Sequence, residues 1–144
     1  MLNVQLINFK TMGDDRGSLI ALEGNKNIPF EIKRVYYIFD TINNIRRGFH
    51  AHKELKQLLI CVSGSCKVFV TDGATMKDIN LNSRSQGLLI GSMVWREMYD
   101  FSPDCVLLVL ASEYYSEKDY IRNYDEFLNI GKKTKKQSLD GKDV

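Results

Sequence analysis

Two histidines, two prolines, one tryptophan and three cysteines are all that 144 residues hold of those types. No run approaches the ~18 apolar residues that a membrane span needs. Met1–Lys10 lacks a basic flank, a long apolar run and a small-residue cleavage site, so no secretory leader is expected. Cys61, Cys66 and Cys105 are odd in number, form no C-x-x-C pair and lie in or beside apolar runs. That pattern excludes a disulfide framework and predicts core thiols in a reducing cytoplasm. No N-x-Ser/Thr sequon occurs, which agrees with a cytoplasmic protein. Hydrophobic residues make up 44% and charged residues 26%, a globular balance that excludes wholesale disorder and collagen-like repeats.

A net positive charge is also lacking outside the end of the chain. Residues 131–144 carry five lysines against two aspartates, a net +3, so the preceding 130 residues stand at −1. The excess belongs to a solvated tail at 131–144, read as disordered, and a nucleic-acid-binding domain is not expected. One domain is expected over residues 1–130, within the usual roughly 100–200 residues per domain.

What the sequence does have is many short apolar runs. Val4–Phe9, Ser18–Leu22, Val35–Phe39, Leu58–Val62, Lys67–Val70, Leu88–Ile90 and Val106–Ala111 are of strand length and suit a pleated, half-buried surface. Gly, Asn, Asp and Ser punctuate them. Leu58–Val62, Ser63-Gly64-Ser65 and Cys66–Val70 read as a hairpin. The pattern predicts an all-β sandwich or barrel of antiparallel strands. A single helix is expected, capped by Ser116 with Asp119 three residues on. It carries an apolar stripe of Tyr120, Ile121, Tyr124, Phe127 and Leu128 and ends at Gly131.

Both histidines fall in Arg46-Arg47-Gly48-Phe49-His50-Ala51-His52-Lys53. On a strand, residues i and i+2 share a face, so His50 and His52 project into one space. Such a pair suggests metal ligation first. The spacing to Gln57 and Gly64 resembles the first cupin motif, in which an acid stands at the Gln57 position. Arg96 stands close to where a further histidine belongs. An amide and a guanidinium replace two of the four ligands, and a guanidinium keeps its proton. No metal and no other cofactor is therefore expected. An imidazole can instead move a proton near neutrality. Arg16, Arg46, Arg47 and Arg96 suit a phosphorylated substrate. One of Tyr36 and Tyr37 faces inward on its strand.

Three stretches then resemble one family: Asp14–Glu23, Arg46–Ser65 and Asp100–Phe127. They look like the dTDP-4-oxo-6-deoxyglucose 3,4-ketoisomerases of the cupin superfamily, over roughly residues 4–130. The resemblance implies a cupin-type jelly-roll or β-barrel with a C-terminal α-helix, metal-free and homodimeric. It implies conversion of a dTDP-linked 4-keto sugar into its 3-keto isomer, in pathways to amino sugars of bacterial surface glycans. By resemblance His50 is the acid/base with His52 beside it, and Arg16, Tyr36, Tyr37, Arg46 and Arg96 are candidate substrate contacts. A catalytically silent sugar-nucleotide-binding cupin is the alternative. Arg96 replaces the histidine common in the family, which favours the gluco configuration at C4 of the product. Arg16 sits in the pattern of the galacto type, so the two signals disagree.

Overall fold

The computed structural model describes residues 1–142, and side-chain environments through Lys133. Twelve strands precede a long helix: β1 (Val4–Asn8), β2 (Met12–Asp14), β3 (Gly17–Leu19), β4 (Arg34–Ile38), β5 (Arg47–His52), β6 (Gln57–Ser63), β7 (Cys66–Thr71), β8 (Met76–Leu81), β9 (Gln86–Ile90), β10 (Trp95–Tyr99), β11 (Val106–Ala111), β12 (Tyr120–Ile121) and α1 (Tyr124–Lys142). Two five-stranded antiparallel sheets face each other, in the orders β1-β9-β6-β11-β4 and β12-β5-β10-β7-β8, and β2-β3 forms a separate ribbon. This is the antiparallel cupin-type barrel that the resemblance implied.

Alternation along the strands sorts side chains between layers. Leu59 and Cys61 of β6 join Val68, Val70, Leu107 and Val109 in the core between the sheets. Leu58 and Ile60 point the other way and are covered by Ile20, Leu22, Ile28, Phe30 and Ile32. The segment after β3 thus closes the outer face of the first sheet. On the outer face of the second sheet, Ala51 and Trp95 pack against Ile121 and Phe127. The helix therefore covers β5 from behind, while the residues alternating with Ala51 face the interior.

The expected hairpin between β6 and β7 does not form. β6 pairs with β9 and β11, whereas β7 pairs with β8 and β10. Ser63-Gly64-Ser65 instead carries the chain from one sheet to the other. Gly64 has φ +66°, and a Cβ there would lie 2.2 Å from Ser102 Oγ and 2.9 Å from Cys105 Cα. Only glycine fits this crossing.

The helix begins later than the sequence pattern suggested. Glu117–Asp119 is a single 3₁₀ turn, and Tyr120–Ile121 pairs with β5. Ser116 makes no capping hydrogen bond. Asn123 caps instead, its Oδ1 accepting from Glu126 N at 2.9 Å, with Asp125 and Glu126 in the favourable first turn. Nor does Gly131 end the helix, which runs through it to Lys142. A helical glycine costs only about 1 kcal/mol relative to alanine. The rest of the expected tail, residues 143–144, lies outside the described residues. No helix among the described residues is long and apolar enough to cross a membrane.

Candidate active site

Strand β5 supplies His50 and His52 to the barrel interior, and Arg96 of β10 lies directly opposite His50 in the ladder. The register slips between Arg96 and Glu97, which pairs with Gly48, leaving Phe49 as an extra residue. Gly48 and Phe49 both have positive φ, 99° and 47°. This β-bulge re-aims the strand at His50. The two imidazoles meet edge to face, ring centres 4.9 Å apart, and Tyr120 touches both, at 5.1 Å from His50 and 4.3 Å from His52.

Hydrogen bonds fix both tautomers. His50 Nδ1 lies 2.8 Å from the carbonyl oxygen of Gly48. A carbonyl only accepts, so Nδ1 carries the proton and Nε2 presents a lone pair. His52 Nδ1 lies 3.1 Å from Asp119 Oδ2, which fixes the same tautomer. Asp119 also accepts from the backbone N–H groups of Glu54, at 2.9 Å, and Leu55, at 3.3 Å. Neither Nε2 has a hydrogen-bond partner among the described residues. Burial, and after it the charge of Arg96, pushes His50 down to about 4. The same two causes, with His50 added, hold His52 at about 2. Both rings are neutral near pH 7, as a base requires.

Arg96 is 1% exposed. It donates to Gln57 Oε1 at 2.7 Å and to the Val94 carbonyl at 3.1 Å, neither of them anionic. Burial lowers it only to about 10, so it stays cationic. A buried cation without a paired carboxylate favours an anion close by. Gln57 Nε2 donates to the Tyr36 hydroxyl at 3.1 Å. The tyrosine oxygen accepts there, and its own O–H is free to donate. Burial raises the Tyr36 phenol further and keeps that proton on.

A cavity of about 350 Å³ opens onto this cluster, lined by Arg34, Tyr36, Arg47, His50, Tyr120 and Arg122. Arg34 lies over the rings of Tyr36 and Tyr115, at 5.2 and 5.6 Å. Its Nε and one terminal nitrogen are buried without partners. Arg122 is held by Glu117, 2.6 Å away, and stacks on Tyr120 at 4.2 Å. The cations gathered here suit an anionic ligand. They do not suit a metal ion. The Gln57 oxygen already accepts from Arg96, whose charge would repel a cation bound by the histidines.

Of the residues singled out in the sequence, His50, His52, Tyr36 and Arg96 come together. Tyr37 is exposed on the far face of β4, beside Phe39. Arg16 sits on the exposed β2-β3 ribbon, paired with Asp14. Arg46 stacks on Tyr99 at 3.9 Å and pairs with Glu97, while its neighbour Arg47 reaches the cavity. Arg34, Asp119, Tyr120 and Arg122 had no sequence signal of their own. Asp119 was concealed in what reads as a helix cap.

Fold and site together define a cupin-type barrel built for acid/base chemistry on an anionic ligand. The chain belongs to the FdtA family, described as WxcM-like, C-terminal, whose model matches residues 2–132. It is 60% identical over 123 residues to the TDP-4-oxo-6-deoxy-alpha-D-glucose-3,4-oxoisomerase of Aneurinibacillus thermoaerophilus, covering 85% of this chain and 88% of that one. A TDP-quinovose 3,4-ketoisomerase from Campylobacter jejuni superposes with a TM-score of 0.86 at 56% identity, covering 90% of this chain and 99% of that one. A histidine-to-asparagine mutant of a 3,4-ketoisomerase from Thermoanaerobacterium thermosaccharolyticum, bound to TDP-4-keto-6-deoxyglucose, superposes at 0.90 with 53% identity, covering 92% and 96%.

Proposed function

We propose that this protein is a TDP-sugar 3,4-ketoisomerase that converts TDP-4-keto-6-deoxyglucose into a 3-keto-6-deoxyhexose on the same nucleotide. The observation that carries the reading is a neutral His50 whose Nε2 lone pair stands at an arginine-lined cavity, with a buried guanidinium beside it.

The C4 ketone acidifies the C3 hydrogen. His50 Nε2 removes that proton, and the electrons move into an enediolate across C3 and C4. The Tyr36 hydroxyl and the charge of Arg96 stabilise the oxygen on which negative charge develops, and fixed donors in a dry site are effective at this. Transfer of a proton from the C3 oxygen to the C4 oxygen, then protonation of C4 by the His50 imidazolium, completes the isomerisation with no net redox change. His52, locked by Asp119, holds the neighbouring wall. Arg34, Arg47 and Arg122 attract the diphosphate.

The protein acts in the cytoplasm as a homodimer. Three free buried thiols suit a reducing compartment. The outer face of β4 displays Val35, Tyr37 and Phe39, each more than half exposed, as a ready surface for a second copy.

The test is NMR of the sugar product formed in D₂O. Wild-type protein is expected to give a 3-keto product with deuterium at C4, and the C4 configuration is read in the same spectrum. His50→Asn is expected to bind TDP and give no product. Wild-type turnover by His50→Asn would overturn the assignment of the base. A wild-type protein that binds the substrate without turnover would favour the silent sugar-nucleotide-binding cupin.

A further inference from the structure

The described residues contain one cluster of three or more His, Cys, Asp or Glu side chains whose ligand atoms converge, and it lies away from the histidine cavity: Cys61, Cys66 and Cys105, with all three sulfurs within 4.8 Å of one another. Cys61 Sγ is 3.6 Å from Cys66 Sγ and 3.9 Å from Cys105 Sγ. The cysteines come from three places in the fold. Cys61 is on β6 of the first sheet, Cys66 opens β7 of the second, and Cys105 immediately precedes β11. We infer that this cluster is a binding site for a trivalent thiophilic ion of the arsenite or antimonite class, held by three cysteine sulfurs between the two sheets.

Geometry, softness and charge lead to the same ligand. At the thiolate bond length of about 2.3 Å, three sulfurs around one centre stand about 4 Å apart, and closer when the centre sits above their plane. The two separations from Cys61 meet that as they stand, and the third pair lies within 4.8 Å. Three sulfurs alone are a soft donor set, selective against oxygen-seeking cations. Zinc in structural sites takes four ligands. The cluster lies within the main core, with Val68, Leu107 and Phe101 as fellow members, and no fourth His, Cys, Asp or Glu joins it among the described residues. Charge then decides between the remaining soft ions. Three thiolates with a trivalent centre are neutral. With a divalent ion they leave one negative charge in an apolar core, and with a monovalent ion two, which burial strongly disfavours.

The step balances without an oxidant. Undissociated arsenous acid, As(OH)₃, meets the three thiols; the contact with Cys66 and then burial push the Cys61 thiol up, and burial pushes Cys105 up. Three As–S bonds replace three As–O bonds, the three thiol protons leave with the hydroxyls as three waters, and arsenic stays trivalent. All three cysteines are buried, so uptake goes through local opening beside the crossing between the sheets. Cys61 lines a surface depression of about 650 Å³ together with Ser63, Gly64, Ser83 and Asp104. β6 begins at Gln57 beside Arg96, so Cys61 lies about 13 Å further along the strand at ~3.3 Å per residue. The thiol site is therefore separate from the isomerase chemistry.

The test uses sodium arsenite on the folded full-length chain under a thiol-free reductant, followed by gel filtration. We expect one arsenic retained per chain and a mass increase of one arsenic less three hydrogens. X-ray absorption should give a first shell of three sulfurs. Thermal unfolding should move upward as arsenite rises, since the folded chain gathers the three sulfurs and binds the ion more tightly than the unfolded one. Cys61→Ala should retain at least tenfold less arsenic. Substoichiometric uptake by the wild type, a first shell of two sulfurs, or unchanged uptake by Cys61→Ala would each overturn the proposal. The absorption spectrum decides on wild-type protein alone, should the variant fail to fold.

Discussion

His50, the proposed base, illustrates how one residue's surroundings bear on both rate and stability. Its imidazole is held at about 4, against an ordinary value of 6.5, by burial and then by Arg96. The acid limb of kcat/KM, which reports the free enzyme, is therefore expected well below pH 6 in a rate profile. The same shift makes folding depend on pH. Between about 6.5 and about 4 the unfolded chain binds a proton that the folded ring refuses. Stability is thus complete above the unfolded value and falls as pH drops through that window. Denaturant titrations at the two ends should differ by about 3 kcal/mol on this account alone, and His50→Asn should lose that share. In the proposed mechanism Asp119 is a positioning residue, acting through His52, whose Nδ1 it holds. Asp119→Asn keeps the shape but turns an amide donor toward one of the groups that now donate to the carboxylate. About a tenfold to hundredfold drop in kcat is expected, equal to the roughly 1.5–3 kcal/mol of a charged hydrogen bond, with KM little changed. A shift in KM alone would remove Asp119 from this role. The paired histidines were legible because only two positions separate them. Asp119 was not, because it stands 67 positions along the chain from its partner and its local sequence resembles a cap.

Among the elements, β5 carries the most function on the least regular backbone. Gly48 provides the carbonyl that fixes the His50 tautomer, and a Cβ there would meet the Arg96 carbonyl oxygen and Met98 Sδ at 3.1 Å with φ at +99°. Gly48→Ala is expected to lose about 1–3 kcal/mol through the strained backbone and to lower kcat by disturbing the bulge. Chemical denaturation and initial rates check both. Unchanged values would mean that β5 adapts freely. Strand positions were readable from their apolar runs, and β4, β6, β9 and β11 fall where those runs lie. β8 and β10 were not readable. Met76–Leu81 is mostly exposed and only half apolar, and Trp95–Tyr99 interleaves Arg96 and Glu97 with its apolar residues. The β6–β7 connection misled because Ser-Gly-Ser closes a hairpin as readily as it crosses between sheets. Pairing is decided by partners distant in sequence.

For the whole molecule, the exposed side chains of β4 carry the prediction. Val35 and Tyr37 lie on an edge strand, with Phe39 just past its end, and such an edge is a template for pairing unless it is covered. Light scattering should report a dimer, and Val35→Lys with Phe39→Lys should shift it toward monomer. A wild-type monomer at all concentrations would contradict this. The order in which the sheets close has a further consequence for synthesis. β1 pairs with β9 and β4 with β11, joining the first forty residues to strands that start at Gln86 and Val106. While the chain is still on the ribosome, β1 and β6 have no partner until β9 emerges, and β4 waits as an unpaired apolar strand until Ala111 has emerged. Nascent chains stalled before that point should be sticky and rich in chaperone contacts, and those released after it should close cooperatively.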